Sequence, residues 1–144
     1  MIGAQRLTGD HMGRFKRVTV LAMGCAVVAC SSDPVGPDDA LGDWGGEGAS
    51  VTVSAVATDF EFDCATGQVE GLLTLDSQGD FTADGVYFRG GGPLPIGGRV
   101  PIPARYEGTV DGNRMTLFVL LEGSDPIGPR SLRRGEEPFL RRCL

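Results

Sequence analysis

Side chains able to do covalent or acid–base chemistry are scarce in this 144-residue chain: four cysteines (Cys25, Cys30, Cys64, Cys143), one histidine (His11) and scattered carboxylates. A Ser–His–Asp or Cys–His nucleophile needs a base within hydrogen-bond reach. The sole histidine lies in the first 11 residues, ahead of a second methionine, Met12. Zinc and copper sites draw on clustered histidine and cysteine, and neither Cys64 nor Cys143 has a histidine or third cysteine beside it. Glu61 and Asp63 form a carboxylate pair of the kind glycoside hydrolysis uses. Their i, i+2 spacing puts both on the outer face of one strand, where they keep a surface soluble. The glycine-rich segment 90–98 contains prolines and leads into no helix, so it makes no phosphate cradle. The chain reads as non-enzymatic, with no cofactor and no metal.

The remaining cysteine chemistry is modification. Val27-Val28-Ala29-Cys30 follows basic Arg14, Lys16 and Arg17 and closes an apolar run of 12 residues, 18–29. A membrane-spanning helix needs about 20 such residues. The arrangement resembles a bacterial lipoprotein signal ending in a lipobox. That resemblance implies cleavage between Ala29 and Cys30 and diacylglycerol on the Cys30 sulfur. It also implies residence in the bacterial cell envelope, on the outer membrane or a periplasm-facing membrane surface. Two or more acyl chains anchor stably where one does not. Translation starting at Met12 gives a conventional Met-Gly-Arg-Phe-Lys-Arg beginning, so the true start is either Met1 or Met12.

Three regions follow: 1–29 as signal peptide, 30–41 as a flexible Asp- and Pro-bearing tether, and 42–144 as one domain. Beyond residue 29 the chain carries 9 arginines against 18 carboxylates. That balance disfavours nucleic acid as a partner. Cys64 and Cys143 are the only cysteines left once Cys30 is acylated, and an even pair in an exported domain reads as a disulfide.

From residue 42 onward the hydrophobic period is two, broken by turns. Val51, Val53 and Ala55 share one face, then Phe60, Phe62 and Cys64, then Val69, Leu73 and Leu75. Phe81, Ala83, Gly85 and Tyr87 follow, then Tyr106, Gly108 and Val110, and Met115, Leu117, Val119 and Leu121. Asp111-Gly112 marks a tight hairpin. Two further strands, near 128–134 and 138–143, are joined by Gly135-Glu136-Glu137. The fold class is all-β: about eight strands in an antiparallel meander, closed into a small barrel or, alternatively, stacked as a β-sandwich.

The one long connection, 89–103, holds five glycines and four prolines. Long loops on rigid scaffolds often bind partners, which makes Leu94, Ile96, Arg99, Arg105 and Tyr106 the binding candidates.

Gly42-Asp43-Trp44 is similar to the Gly-x-Trp signature of lipocalin-like and avidin-like barrels. The likeness implies that Trp44 plugs one barrel end beneath an arginine, with Arg133, Arg134, Arg141 and Arg142 available. Cys64-Ala65-Thr66-Gly67 resembles a turn in small lipoproteins that inhibit lysozyme, although Pro103-Ala104-Arg105-Tyr106 lacks the Ser-Gly of their inhibitory loop. The whole chain is most similar to short bacterial lipoproteins of the cell envelope. The expectation is a monomeric, lipid-anchored binding or accessory module that acts through loops. Its alternatives are a carrier of a small apolar ligand and an inhibitor of an envelope-directed hydrolase such as lysozyme.

Overall fold

Strands that are apolar on one side only can bury that side together by curling into a tube. The computed structural model describes residues 40–93 and 96–143, and eight strands do this there in sequence order. They are β1 (Gly42–Gly46), β2 (Ala49–Val53), β3 (Ala57–Phe62), β4 (Ala65–Glu70), β5 (Asp80–Arg89), β6 (Ile102–Asp111), β7 (Arg114–Leu121) and β8 (Ile127–Arg134). Each pairs antiparallel with the next. β1 closes on β8, with Trp44 opposite Arg134, Gly45 opposite Arg133 and Gly46 opposite Leu132. The sheet is a closed barrel, not a sandwich.

The meander gives the barrel two unlike ends. The β1–β2, β3–β4, β5–β6 and β7–β8 connections open at one, here the upper mouth. The β2–β3, β4–β5 and β6–β7 connections open at the other, the lower mouth, where the described chain also enters at Ala40.

Large side chains fill the interior. Trp44, Phe60, Tyr106, Met115, Leu117 and Leu132 are wholly buried. Leu73 and Leu75 fold in from the β4–β5 connection and are buried as well. Thr58, the one buried polar side chain of the core, donates its hydroxyl to Gly71 O at 3.1 Å. Space for the rings comes from missing side chains. A Cβ on Gly67 would collide with the Tyr106 hydroxyl, and one on Gly85 with Gln68 O.

Two strand assignments differ from the sequence reading, and they compensate in number. Residues 42–46 are a strand although Trp44 is their only large apolar residue, because both edges of this short segment find partners, β2 and β8. The segment 138–143 is not a strand. Pairing of β1 with β8 leaves no open edge for it, and it makes one isolated parallel bridge, Glu47 to Phe139. The Asp111-Gly112 hairpin also shifts by one residue. Asp111 pairs with Arg114, so the two-residue loop is Gly112-Asn113, with Gly112 at positive φ. Finally, Ala40 and Leu41, assigned to the tether, belong to the barrel: Ala40 is fully buried and Leu41 packs against the core.

Candidate functional site

The arrangement at the lower mouth is built for stability. Trp44 is buried, and its indole N–H donates to Ala40 O at 2.8 Å. The Arg134 guanidinium lies 4.2 Å above the ring centroid, and it also donates to Leu41 O. Of the four arginines the sequence offers as a lid, the strand register selects Arg134, because it is paired directly with Trp44 across the β1–β8 seam. Arg133 points away towards Glu136, 3.8 Å distant. Arg141 and Arg142 lie at the opposite mouth.

They reach it because the chain after β8 turns back as a strap over the outside of β1. Gly45 makes room for it, since a Cβ there would meet the Glu136 carbonyl. Phe139 then bonds both ways with the β1–β2 turn, its N–H to Gly46 O at 3.0 Å and its carbonyl from Gly48 N–H at 2.9 Å. Asp63 accepts the Arg141 backbone N–H at 2.8 Å. The strap ends in the Cys64–Cys143 disulfide, with Cα atoms 5.5 Å apart and a sequence separation of 79. Asp63 is thus spent on holding the strap, while Glu61 stays exposed on β3.

Between the strap and the β3–β4 turn runs an open groove of about 510 Å³. Phe62, Ala65, Pro138 and Leu140 give it an apolar floor, and Arg99, Arg141, Arg142, Glu61 and Asp63 line its sides. The β5–β6 loop flanks it, presenting Ile96 and Val100 to solvent. Arg130 comes up from β8 near the β1–β2 turn. A Cβ on Gly48 would lie 2.9 Å from Arg130 Nη1 and 3.0 Å from Asp63 Oδ2. Arg130 Nε is shielded from solvent and has no hydrogen-bond partner among the described residues.

The loop candidates separate. Ile96 is fully exposed, and Arg99 lines the groove. Arg105 is instead on the outer wall of β6, where it donates to Asp84 at 2.9 Å and holds that carboxyl below its usual range. Tyr106 leaves the candidate set: it is buried in the core, stacked on Phe60, because alternation along β6 turns it inward from its exposed neighbour Arg105. Leu94, Ala29, Cys30 and Met12 lie outside the described residues. Arg141 and Arg142 were not read as groove residues, yet the Cys64–Cys143 pairing carries the signal, since it must bring 141 and 142 beside the turn at 63–64.

No protein-family profile, curated protein or solved structure matches the chain. Chemically, the upper mouth offers guanidinium donors, an apolar floor and exposed aliphatic side chains. Among the described residues, no three of the His, Cys, Asp and Glu side chains group as a metal site would require.

Proposed function

We propose that the protein is a lipid-anchored cell-envelope module, without enzymatic activity, that binds a partner protein through its upper mouth. The observation that carries this reading is the contrast between a barrel interior filled by side chains and a mouth with exposed Ile96 and Val100 beside an open groove. Ile96 and Val100 offer a docked partner apolar surface to cover, next to the apolar residues of the groove. A filled interior also counts against the carrier of a small apolar ligand, which needs an enclosed cavity.

Anchoring at Cys30 suits the same geometry. Ala40 is ten residues along from Cys30, a reach of about 35 Å when extended. The chain enters the barrel at Ala40, at the lower mouth, and the tether gives the upper-mouth loops room to reach a partner.

Native mass spectrometry of full-length protein gently extracted from its own membranes tests this. The expected mass is a chain beginning at diacylated Cys30, two hydrogens light for the disulfide, with no small molecule retained. An unmodified Cys30, or membrane attachment that persists in Cys30→Ala, overturns the anchor. A retained apolar molecule replaces the binding module with a carrier.

A further inference from the structure

We infer that the groove at the upper mouth takes an acidic, partly apolar segment of a partner protein; this rests on the binding role proposed above and names the chemistry of the partner. Carboxylates outnumber arginines in the barrel as a whole, yet the arginines are not spread evenly. Arg89, Arg99, Arg130, Arg141 and Arg142, five of the nine beyond residue 29, gather at the upper mouth. Only Arg141 among these five has an ion-pair partner among the described residues, and that contact with Glu47 is long, 3.9 Å between two exposed side chains. Arg105 and Arg133, by contrast, pair with acids on the outer wall and at the lower mouth.

The groove itself sets three guanidiniums against two carboxylates, and one of these, Asp63, already accepts the strap's N–H. Unpaired guanidiniums are preorganised forks for carboxylate oxygens. The floor of Phe62, Ala65, Pro138 and Leu140 would cover apolar side chains between those carboxylates. The lower mouth is the more acidic of the two: Asp43, Glu70, Asp76, Asp80, Asp111 and Glu136 outnumber Arg114, Arg133 and Arg134 there, whereas Glu47, Glu61, Asp63, Glu122 and Asp125 at the upper mouth are matched by its five arginines. At physiological ionic strength charges are screened beyond about 8 Å. The overall negative charge of the barrel therefore does not cancel the local attraction within the groove.

The test is fluorescence anisotropy with full-length, detergent-solubilised protein and a fluorescein-labelled decapeptide of alternating Glu and Leu. A Lys–Leu decapeptide is the control, and vesicles containing phosphatidylglycerol are the competing surface. Expected is saturable binding of the Glu–Leu peptide that weakens as NaCl rises from 50 to 300 mM. The double variant Arg99→Ser/Arg142→Ser should bind about tenfold more weakly, a loss of about 1.4 kcal/mol. Arg114→Ser removes a positive charge at the lower mouth and should leave the affinity unchanged. No binding, equal loss in Arg114→Ser, or preference for the Lys–Leu peptide overturns the inference. Binding to vesicles through Arg99 and Arg142 without peptide binding overturns it too and reassigns the groove to lipid. A photo-crosslinker at position 96 separates this failure from failure of the binding role. In intact membranes it should join the protein to a neighbour where one at Val56, on the lower mouth, does not. If it does while the peptide fails to bind, the binding role stands and the acidic partner falls.

Discussion

Tyr106 lies flat against Phe60, the ring centroids 4.0 Å apart and the planes 11° from parallel, with its hydroxyl donating to Val86 O at 2.7 Å. The stack crosses the barrel from β6 to β3, and Gly67 on β4, next to β3, has no side chain where the tyrosine occupies the space. A barrel of eight strands is just wide enough for its own side chains or one small ligand. Here aromatic rings take the room, which moves any recognition outward to the mouths.

The stack makes Gly67→Ala destabilising by about 1–3 kcal/mol, the usual cost of overpacking. Tyr106→Phe removes the atom that the new methyl strikes but strands Val86 O without its donor, at about 1 kcal/mol. The two should therefore be non-additive: chemical denaturation of the double variant should show a smaller loss than the sum of the single ones. Simple additivity would mean that Gly67 and Tyr106 do not meet.

The strap yields a second prediction. A disulfide spanning 79 residues stabilises by about 4 kcal/mol in the chain-entropy picture. Cys64→Ser and Cys143→Ser should lower the thermal midpoint equally, and the double variant no further. Unequal single losses would show that one cysteine contributes something besides the bond.

The amino-acid sequence made the barrel legible because alternation is a physical requirement of a one-sided sheet. The burial pattern along Phe60, Glu61 and Phe62 follows it residue by residue. β1 was harder to see because Gly42-Asp43-Trp44-Gly45-Gly46 lacks a repeating apolar face. Its strand character comes from two neighbours that no local pattern announces, and Gly45 and Gly46 are dictated by the strap and by β8. The tail misled for the complementary reason: Phe139 and Leu140 look like strand residues, but whether an edge is open is a property of the closed barrel. At the site, Ile96 and Arg99 could be picked from loop composition alone. Tyr106 could have been excluded as well, because it shares an alternating apolar face with Gly108 and Val110, and that is the face β6 turns inward.

Arg134 over Trp44 gives a prediction with a built-in probe, since Trp44 is the only tryptophan. A cation over an indole face contributes about 0.5–2 kcal/mol. Arg134→Met keeps an apolar stem above the ring and loses the charge and the bond to Leu41 O. Fluorescence-monitored melting should show a midpoint lower by roughly 5 °C, the shift about 1 kcal/mol produces in a domain of this size. Emission of the folded variant should also move to longer wavelength as water gains access to the ring. An unchanged spectrum and midpoint would mean that the strands close the lower mouth without the arginine.

Alkaline pH tests the filled interior most directly. Burial pushes the Tyr106 hydroxyl far above its ordinary range, and the nearby Tyr87 adds to the effect. Tyr87 is itself raised by burial, an effect that Arg89 and Arg130 partly offset. No lysine follows Lys16, and Cys64 and Cys143 are bonded, so these two tyrosines are the groups of the described residues whose ordinary, unfolded-chain titration falls between about pH 9 and 12. The folded barrel keeps both protons where the unfolded chain releases them, above about pH 10. By linkage the unfolded state then binds fewer protons. The stabilisation is complete below pH 10 and is lost as pH rises beyond it. Absorbance at 295 nm should stay flat through pH 10 and rise only together with the loss of the folded Trp44 fluorescence. In Tyr106→Phe the fall of stability with pH above 10 should be shallower, because the more deeply buried of the two withheld protons is gone. In Tyr87→Phe, tyrosinate appearing near pH 10 with the fold intact would mean that water reaches the Tyr106 hydroxyl, and the interior would then have room for a ligand after all.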